Sequence, residues 1–401
     1  MNSVNKRVCP FSAHCGGCDY IEKTYSEQLE LKMKTVRKNL GELAKAQNVK
    51  IENIIGAAEP RYYRNKVHSV FARNGRGQII RGIYREDSHD VVDVSGCLLE
   101  NKTADAVIEE IKRLLPSFKL KIYDEDTGYG WLRHVLVRVG AHTSSEEGGE
   151  RVTELMVVLV TSQVAFPGKN NFVKALRTKF PMISTIVQNI NDKRTSMVLG
   201  ERNIIVFGKG YIEDDSLGLK FRISPSSFFQ INTEQTKKLY SLALEMADLK
   251  GNETVLDAYC GTGTIGMFMS SQAKDVVGVE LNRDAFRDAI SNAKANKINN
   301  VLFVNDDATK YMQRIAQSKE GSFDLLCMDP PRSGSTPEFI GAAAALNIPR
   351  VVYVSCNPET LARDLREFVK RGYAVKRIAP IDMFPATEHV ESVVLITRKE
   401  K

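Results

Sequence analysis

The chain has 401 residues, of which 43% are hydrophobic and 26% are charged, as in an ordinary folded globular protein. It is longer than one hydrophobic core usually supports, so we expect two or three domains. The sequence has no apolar run of the length that crosses a membrane, and its first residues lack the apolar core of a signal peptide, which predicts a cytoplasmic protein. Lys and Arg outnumber Asp and Glu by 56 to 49, an excess that suits a polyanionic partner without requiring one.

Residues 1–100 are predicted to form a first segment that begins with a cysteine cluster. A helical pattern runs from about Tyr25 to Ala46, and a basic stretch at 61–66 leads into apparent strands. Residues 101–225 are dominated by short alternating strands, which predict a central, mostly antiparallel α+β domain.

The pattern changes in the last part of the chain, where buried strands alternate with helices. This alternation predicts an α/β fold over residues 226–401, with a mostly parallel, doubly wound, Rossmann-like sheet. Ligands of such sheets bind at the carboxyl ends of the strands, so the residues that follow each strand are the first candidates for a site.

A glycine-rich turn over 257–266 follows one of these strands and opens a helix. Glycines let the backbone approach a ligand closely, and Glu280, at the end of the next strand, is placed to accept hydrogen bonds from ribose hydroxyls. A nicotinamide enzyme shares this logic, but the acidic Asp257 before the turn and the glycine spacing favour a methyltransferase. Asp307, at the following strand end, is predicted to contact the adenine, with a helix N-cap as the alternative role.

Two further strand ends carry reactive side chains. Asp329 begins the turn DPPR, and Cys356 lies in SCNP after the next strand. A buried structural cysteine is the ordinary alternative, but a thiolate above a cofactor site suits covalent catalysis, because its addition to C6 of uracil makes C5 nucleophilic. The later loss of the C5 proton needs a base, for which Glu391, Glu388 and His389 are candidates.

Together these motifs, with SPSSFFQIN at 224–232 and FPATEHVES at 384–392, resemble the RNA 5-methyluridine methyltransferases, which modify 23S ribosomal RNA and the T-loop of transfer RNA. The resemblance implies that Cys356 is the nucleophile, that Glu391 is the base and that S-adenosylmethionine is the methyl donor. It also implies a set of donor-binding residues: Gln230, Tyr259, Thr264, Glu280, Asp307 and Asp329. Phe228 matches a position near the target base, with a core aromatic as the alternative.

The cysteines near the N-terminus are spaced as Cys9-x5-Cys15-x2-Cys18, and Cys97 is a fourth candidate. Four thiolates suit either a [4Fe–4S] cluster or a zinc ion, and spacing alone leaves both open. The resemblance implies the iron–sulfur cluster, with a structural or RNA-positioning role because uridine methylation needs no electron transfer. The remaining cysteines, Cys260 and Cys327, are expected to be packing residues.

A uridine in folded RNA must leave its stack before a thiolate reaches it, so basic and aromatic contacts are expected. Two segments offer them, with a solvated basic face as the alternative: Arg61, Tyr62, Tyr63, Arg64, Lys66, His68 and Arg73, then Trp131, Arg133 and His134. Eight residues precede Cys9, which predicts that the small N-terminal β-barrel (TRAM-type) domain of many ribosomal members is missing. The cysteines favour 23S ribosomal RNA as substrate over the T-loop of transfer RNA, and a monomer without membrane contact is expected.

Overall fold

The computed structural model describes residues 8–85, 88–143, 150–195, 197–318 and 321–399. The predictions about a signal peptide and a small β-barrel domain at the N-terminus concern residues outside these ranges. None of the helices in these ranges has the length and apolar character that a membrane span requires. Internal contacts divide the chain into two units. The N-terminal unit comprises residues 8–23 and Glu59–Ser226, and the C-terminal unit comprises Thr24–Ala58 and the described residues from Ser227 onward.

The helices are α1 (Tyr25–Ala46), α2 (Lys102–Ser117), α3 (Lys169–Lys179), α4 (Thr233–Ala247), α5 (Thr264–Ser270), α6 (Arg283–Ala295), α7 (Ala308–Ser318), α8 (Pro337–Ala345) and α9 (Pro358–Lys370). The strands of the N-terminal unit are β1 (Lys66–Arg73), β2 (Ile79–Tyr84), β3 (Val91–Asp93), β4 (Leu132–Thr143), β5 (Arg151–Thr161), β6 (Ile183–Ile190), β7 (Arg202–Gly208), β8 (Ile212–Asp214) and β9 (Phe221–Ile223). Those of the C-terminal unit are β10 (Thr254–Ala258), β11 (Asp275–Glu280), β12 (Val301–Asn305), β13 (Leu325–Met328), β14 (Arg350–Ser355), β15 (Tyr373–Ile381) and β16 (Glu391–Arg398).

The N-terminal unit is built on one sheet with the strand order β3-β2-β1-β4-β5-β6-β7. Its pairs are antiparallel except for β5 and β6, which run parallel with helix α3 between them in the chain. Val135, Val137 and Val157 alternate toward a buried core, against which helix α2 packs residues such as Ile108 and Ile111. The predicted α+β character of this part is confirmed.

The predicted boundaries differ from the observed division in two respects. Strands β1 to β3 pair into the same sheet as β4 to β7, so the segments predicted as 1–100 and 101–225 share one fold. Helix α1, predicted inside the first segment, belongs to the C-terminal unit. The reason is its apolar face, since Val36, Leu40 and Leu43 join the core of the parallel sheet.

The C-terminal unit has a seven-stranded sheet with the order β12-β11-β10-β13-β14-β16-β15. Strands β10 to β14 are parallel to one another, and β16 runs antiparallel between β14 and β15. Residues 351–355 of β14 are buried on both faces, as helix-covered parallel strands require. The predicted Rossmann-like sheet is confirmed, and its strand ends bring the motif residues to one edge.

Helix α1 begins with a capping box, in which Glu27 N–H donates to Thr24 Oγ1 while Thr24 N–H donates to the Glu27 carboxylate. After the helix, the chain runs beside β15 through bridges from Ile51 to Ile378 and from Ile55 to Ile381. This segment leaves α1 against the edge of the sheet at which β15 ends and the loop to β16 begins.

Candidate active site

The two predicted catalytic residues lie at adjacent strand ends. Cys356 follows β14, and Glu391 is the first residue of the antiparallel strand β16. Ser355 pairs with Ser392, so one further step in the same register sets Cys356 opposite Glu391. Opposite residues of antiparallel strands carry their side chains on the same face of the sheet. The local pairing therefore brings the thiol and the carboxylate to one side of the sheet edge.

Glu391 is only 4% exposed, and its Oε2 atom has no hydrogen-bond partner among the described residues. Burial raises the pKa of this carboxyl group well above its ordinary value, the Asp329 carboxylate raises it further, and Arg332 acts in the opposite direction. Burial likewise raises the pKa of Asp329 to about 7. A buried carboxylate with an unused oxygen and a raised pKa is a suitable proton acceptor.

The Cys356 thiol is half-buried, and burial raises its pKa to about 11. Negative charge on Glu391 and Asp329 contributes to this rise in second place, whereas the Arg332 guanidinium opposes it. These mutual effects show that the four side chains share one electrostatic environment. The thiol is thus protonated at neutral pH, and added positive charge near it would favour the thiolate.

Cys356 opens onto a cavity of about 320 Å³. Its wall comes from α1, the DPPR turn, the start of α9 and the loop before β16: Thr35, Asn39, Arg332, Asn357, Pro358, Glu359, Glu388, His389 and Val390. Two of the three candidate bases, the exposed Glu388 and the half-buried His389, line this cavity. The third, Glu391, is buried and is not among the lining residues. The cavity is of the size that holds one small planar ligand.

The glycine turn after β10 is organised by Asp257, whose buried carboxylate accepts a hydrogen bond from Gly266 N–H at 2.7 Å. Burial raises the pKa of Asp257 to about 8, against the lowering effect of that bond. Gly263 has a φ of +80°, and a Cβ atom there would meet the Phe303 ring at 2.7 Å. Both the backbone conformation and the space at this position therefore require glycine.

Glu280 holds the other side of this turn. Its Oε2 accepts from Gly261 N–H at 2.9 Å and its Oε1 from Asn282 N–H at 2.6 Å. The side chain is partly exposed at the carboxyl end of β11. It is thus fixed by two backbone donors and still accessible to a ligand above the strand ends.

The other predicted donor-binding residues differ in what they contact. Tyr259 has a φ of +64°, and its hydroxyl lies 3.4 Å from Ser335 Oγ. Thr264 Oγ1 accepts from the Tyr240 hydroxyl at 3.3 Å. The Asp307 Oδ1 accepts from Lys310 N–H at 2.9 Å, which is the N-cap role weighed for it from the sequence. Their binding roles stay predictions.

Two residues of the SPSSFFQIN segment lie before helix α4 with different exposure. Gln230 is 6% exposed, whereas Phe228 is 61% exposed. The alternative for Phe228, a core aromatic, does not hold in the structure. Ser227, one residue earlier, is buried and donates to Asp288 Oδ2 at 2.6 Å, so the segment is anchored on α6.

A family model described as tRNA (Uracil-5-)-methyltransferase matches residues 194–399, just over half of the chain. An uncharacterized RNA methyltransferase of Bacillus cereus is 39% identical over 98% of this chain and 83% of its own length. One from Halalkalibacterium halodurans is 41% identical with the same coverage. Among solved structures, Pyrococcus abyssi tRNA (uracil-54, C5)-methyltransferase in complex with S-adenosyl-L-homocysteine has a TM-score of 0.76 at 28% identity, over 96% of this chain and 85% of that one.

The chain belongs to the tRNA (uracil-5-)-methyltransferase family. It is accordingly an S-adenosylmethionine-dependent RNA methyltransferase that acts on C5 of uracil, as the motifs predicted. The nicotinamide alternative for the glycine turn is thereby excluded.

The four N-terminal cysteines of this family member line a single cavity, together with Arg64 and residues of β1 and β2. Within the described ranges, no group of three or more His, Cys, Asp or Glu side chains is arranged to hold a metal ion. The sulfurs are nonetheless near one another, because Cys9, Cys15 and Cys97 all raise the pKa of Cys18 after burial, its main cause. The donor set suits a metal, while the arrangement required for one is not formed.

Of the two segments predicted to contact RNA, the second is buried in the structure, so the prediction for it is wrong. Trp131 is 3% exposed within the apolar core, and its Nε1 donates to Ala165 O at 2.6 Å. Arg133, also buried, donates to the Glu125 carboxylate at 2.9 Å. In the first segment, Arg61 and Arg73 are exposed. The spacing of Trp131 and Arg133 could not distinguish a strand buried in the core from a strand that binds RNA, because side chains alternate between the two faces in either kind of strand.

Residues that the sequence did not assign to the methyltransferase site contribute to it. Asp257 shapes the glycine turn, and Arg332 sets the charge around the thiol. Thr35 and Asn39 line the Cys356 cavity from helix α1. The first two lie within motifs and had a local signal, whereas nothing in α1 itself indicates an approach to residues more than three hundred positions away.

Proposed function

We propose that this methyltransferase acts on a uridine of 23S ribosomal RNA through a covalent adduct of Cys356, with Glu391 as the base. What supports the chemistry most is the pairing of β14 and β16, which sets a half-buried thiol opposite a buried carboxylate. The Glu391 Oε2 atom, without a partner among the described side chains, is free to accept a proton from substrate. The adjoining cavity of about 320 Å³ suits a flipped uracil ring.

The proposed reaction conserves atoms and charge. The Cys356 thiolate forms a bond to C6, the C5=C6 electron pair moves into the ring as an enolate, and C5 then takes up the methyl group. The bond between that methyl group and the sulfonium sulfur breaks, and its electron pair stays on the sulfur, which becomes a neutral sulfide. Glu391 accepts the proton from C5, the electrons of that C–H bond restore C5=C6, and the C6–S bond breaks to return the thiolate. Arg332 stabilises the thiolate at both ends of the cycle, since it lowers the pKa of Cys356.

S-adenosylmethionine supplies the methyl group and, when bound, a sulfonium positive charge. The residues that we propose to hold it are Gln230, Tyr259, Thr264, Glu280, Asp307 and Asp329. Glu280 fits best, because two backbone N–H groups fix its carboxylate at the strand end. A cationic donor beside the buried Asp329 and Glu391 carboxyl groups would favour their ionised forms, against the raised pKa that burial gives them, and their negative charge would then stabilise the donor.

Covalent trapping tests this mechanism. RNA that contains 5-fluorouridine, incubated with the protein and S-adenosylmethionine, is expected to give a stable protein–RNA adduct, because fluorine at C5 cannot leave as a proton. Cys356→Ala is expected to form none, while Cys327→Ala, which changes a buried cysteine of β13 outside the cavity and outside the glycine turn, serves as the matched control. An adduct that survives Cys356→Ala would exclude the proposed nucleophile.

The choice of RNA has two candidates. The four N-terminal cysteines favour 23S ribosomal RNA through the family resemblance, and the likeness to a solved tRNA (uracil-54, C5)-methyltransferase favours the T-loop of transfer RNA. Adduct formation is therefore compared on fluorinated 23S fragments and fluorinated transfer RNA, and the trapped nucleotide is mapped. Trapping on transfer RNA alone would replace our first candidate by the second.

We further propose that Cys9, Cys15, Cys18 and Cys97 hold a [4Fe–4S] cluster in the N-terminal unit. Their shared cavity and the half-buried Arg64 guanidinium, which lines it beside the sulfurs, suit a cluster of net negative charge. Anaerobically purified protein is expected to contain about four iron and four sulfide per chain. Cys97→Ser is expected to lose both and Cys260→Ser neither, and stoichiometric zinc without sulfide would contradict the cluster.

A further inference from the structure

We propose that Gln28 and Lys32 of helix α1 are positioning residues, which hold the loop 382–390 so that Glu391 faces the Cys356 adduct. This inference rests on the proposed function, because it assigns a step to residues that touch neither substrate nor donor. The loop begins and ends at one residue pair of the sheet, because Ile381, the last residue of β15, pairs with Glu391, the first residue of β16. Whatever fixes the loop therefore fixes the first residue of β16.

The first anchor is a buried ion pair. Lys32 Nζ donates to Asp382 Oδ1 at 2.5 Å and to Phe384 O at 2.9 Å, and both charged side chains are 0% exposed. Asp382 Oδ1 also accepts from Phe384 N–H at 3.2 Å, and its Oδ2 accepts from the Tyr25 hydroxyl at 2.9 Å. The start of the loop is thus tied to α1 by charge-assisted bonds in a dry environment, where such bonds are strong.

The second anchor lies at the middle of the loop. Gln28 Oε1 accepts a hydrogen bond from Ala386 N–H at 2.8 Å, and Gln28 is 6% exposed. Ala386 has a φ of +67°, a left-handed conformation that a residue with a Cβ adopts at a cost. The bond from Gln28 therefore holds the loop in a turn that the local sequence does not favour.

These anchors occupy the same stripe of α1 as two residues of the catalytic cavity. Gln28 and Lys32 are one turn apart, and Thr35 and Asn39 continue the stripe at the next two turns. The latter two line the cavity onto which Cys356 opens. One helix face thus supports the base-bearing loop at one end and the wall of the thiol cavity at the other.

Loss of the α1 anchors is expected to affect one step of the reaction, the release of Cys356 from the methylated base. Glu391 is needed only after methyl transfer, when the C5 proton leaves and Cys356 is released. Weakening the α1 anchors should slow release while leaving adduct formation nearly unchanged. A misplacement of about 1 Å can reduce the rate of such a step about a hundredfold.

The test uses Gln28→Leu, which removes the acceptor at similar size, and Gln28→Glu, which restores it. The double variant Lys32→Met with Asp382→Leu removes the ion pair without leaving a buried charge. Lys34→Met, an exposed position on the same helix, is the matched control. Each variant is given unmodified uridine RNA and S-adenosylmethionine, and covalent adduct and free 5-methyluridine RNA are measured over time.

We expect Gln28→Leu and the double variant to accumulate the adduct and to release product at least about tenfold more slowly, with Gln28→Glu and Lys34→Met close to wild type. Equal slowing of adduct formation and release, or no accumulation of adduct in either folded variant, would contradict the positioning role. Failure of wild-type protein to trap 5-fluorouridine RNA would instead contradict the proposed function, so the two failures are distinguishable.

Discussion

Two helical glycines of the C-terminal unit differ in what an added methyl group would meet, and the difference is measurable. Gly41, inside α1, has no heavy atom within 4 Å of a Cβ built on it. Gly266, inside α5, would place a Cβ 2.8 Å from Asp257 Oδ2 and 3.2 Å from Val276 Cγ1. Neither has a positive φ, so backbone conformation does not separate them.

Replacing glycine by alanine inside a helix stabilises it by about 0.5–1 kcal/mol, because alanine loses less backbone entropy on folding. Gly41→Ala should gain this amount. At Gly266 the gain is offset by overpacking, which costs about 1–3 kcal/mol, and by weakening of the hydrogen bond from Gly266 N–H to the Asp257 carboxylate, worth about 1.5–3 kcal/mol. We expect Gly266→Ala to be destabilised by about 2 kcal/mol, a difference of about 3 kcal/mol between the variants.

Thermal unfolding followed by circular dichroism provides the measurement. One kcal/mol corresponds to about 2–4 °C for a unit of this size, so Gly41→Ala should melt slightly higher than wild type and Gly266→Ala about 4–8 °C lower. Gly266→Ala should also bind S-adenosyl-L-homocysteine more weakly in calorimetry, because Asp257 shapes the donor turn. Equal melting temperatures for the two variants would refute the assigned contact between Asp257 and the turn.

Three further outcomes follow from the site. The rate of Cys356 alkylation by iodoacetamide, measured by mass spectrometry of its peptide in RNA-free protein, should rise with pH from neutral up to about 11. Glu391→Gln should increase this rate in the alkaline part of the profile, where Glu391 is ionised, because a negative charge that raises the thiol pKa is lost. Glu280→Gln should weaken S-adenosyl-L-homocysteine binding about tenfold by calorimetry, because the single amide oxygen can replace only one of the two acceptors for backbone N–H groups and carries no charge; unchanged affinity would remove Glu280 from the donor site. Lys32→Met should lower the free energy of unfolding by about 3–5 kcal/mol, whereas adding Asp382→Leu should recover most of it, and a double variant no more stable than the single would contradict the buried charge as the cause.

Much of the C-terminal unit could be predicted because its signals are local. Parallel strands buried on both faces give continuous apolar runs, and their carboxyl ends meet at one edge by topology alone. The sequence alone therefore assigns Glu280, Asp329 and Cys356 to a common edge of the sheet. The helical pattern predicted from about Tyr25 to Ala46 agrees with the observed bounds of α1.

The unit to which α1 belongs could not be predicted. Amphipathicity shows that a helix has an apolar face, but the partner of that face is a long-range choice. The contacts of Lys32 with Asp382 span 350 positions, and a buried lysine in α1 looks in the sequence like any other lysine on a charged helix. Trp131 and Arg133 show the converse error, in which buried residues were predicted to contact RNA. A strand that is buried on both faces can have the same residue types as a strand that binds RNA.

The electrostatics of the site fit the order of steps in the proposed mechanism. Burial, together with negative charge on Glu391 and Asp329, raises the pKa of Cys356 to about 11, so the thiol is protonated at neutral pH and resists oxidation. Arg332 alone does not overcome these effects. A cationic donor would change these pKa values, because positive charge near the two side chains favours both the Cys356 thiolate and the ionised Glu391 carboxylate. In the proposed mechanism, the donor charge therefore favours the Cys356 thiolate before methyl transfer. Once the donor has become a neutral sulfide, the pKa of the ionised Glu391 carboxylate rises again, which favours its acceptance of the C5 proton.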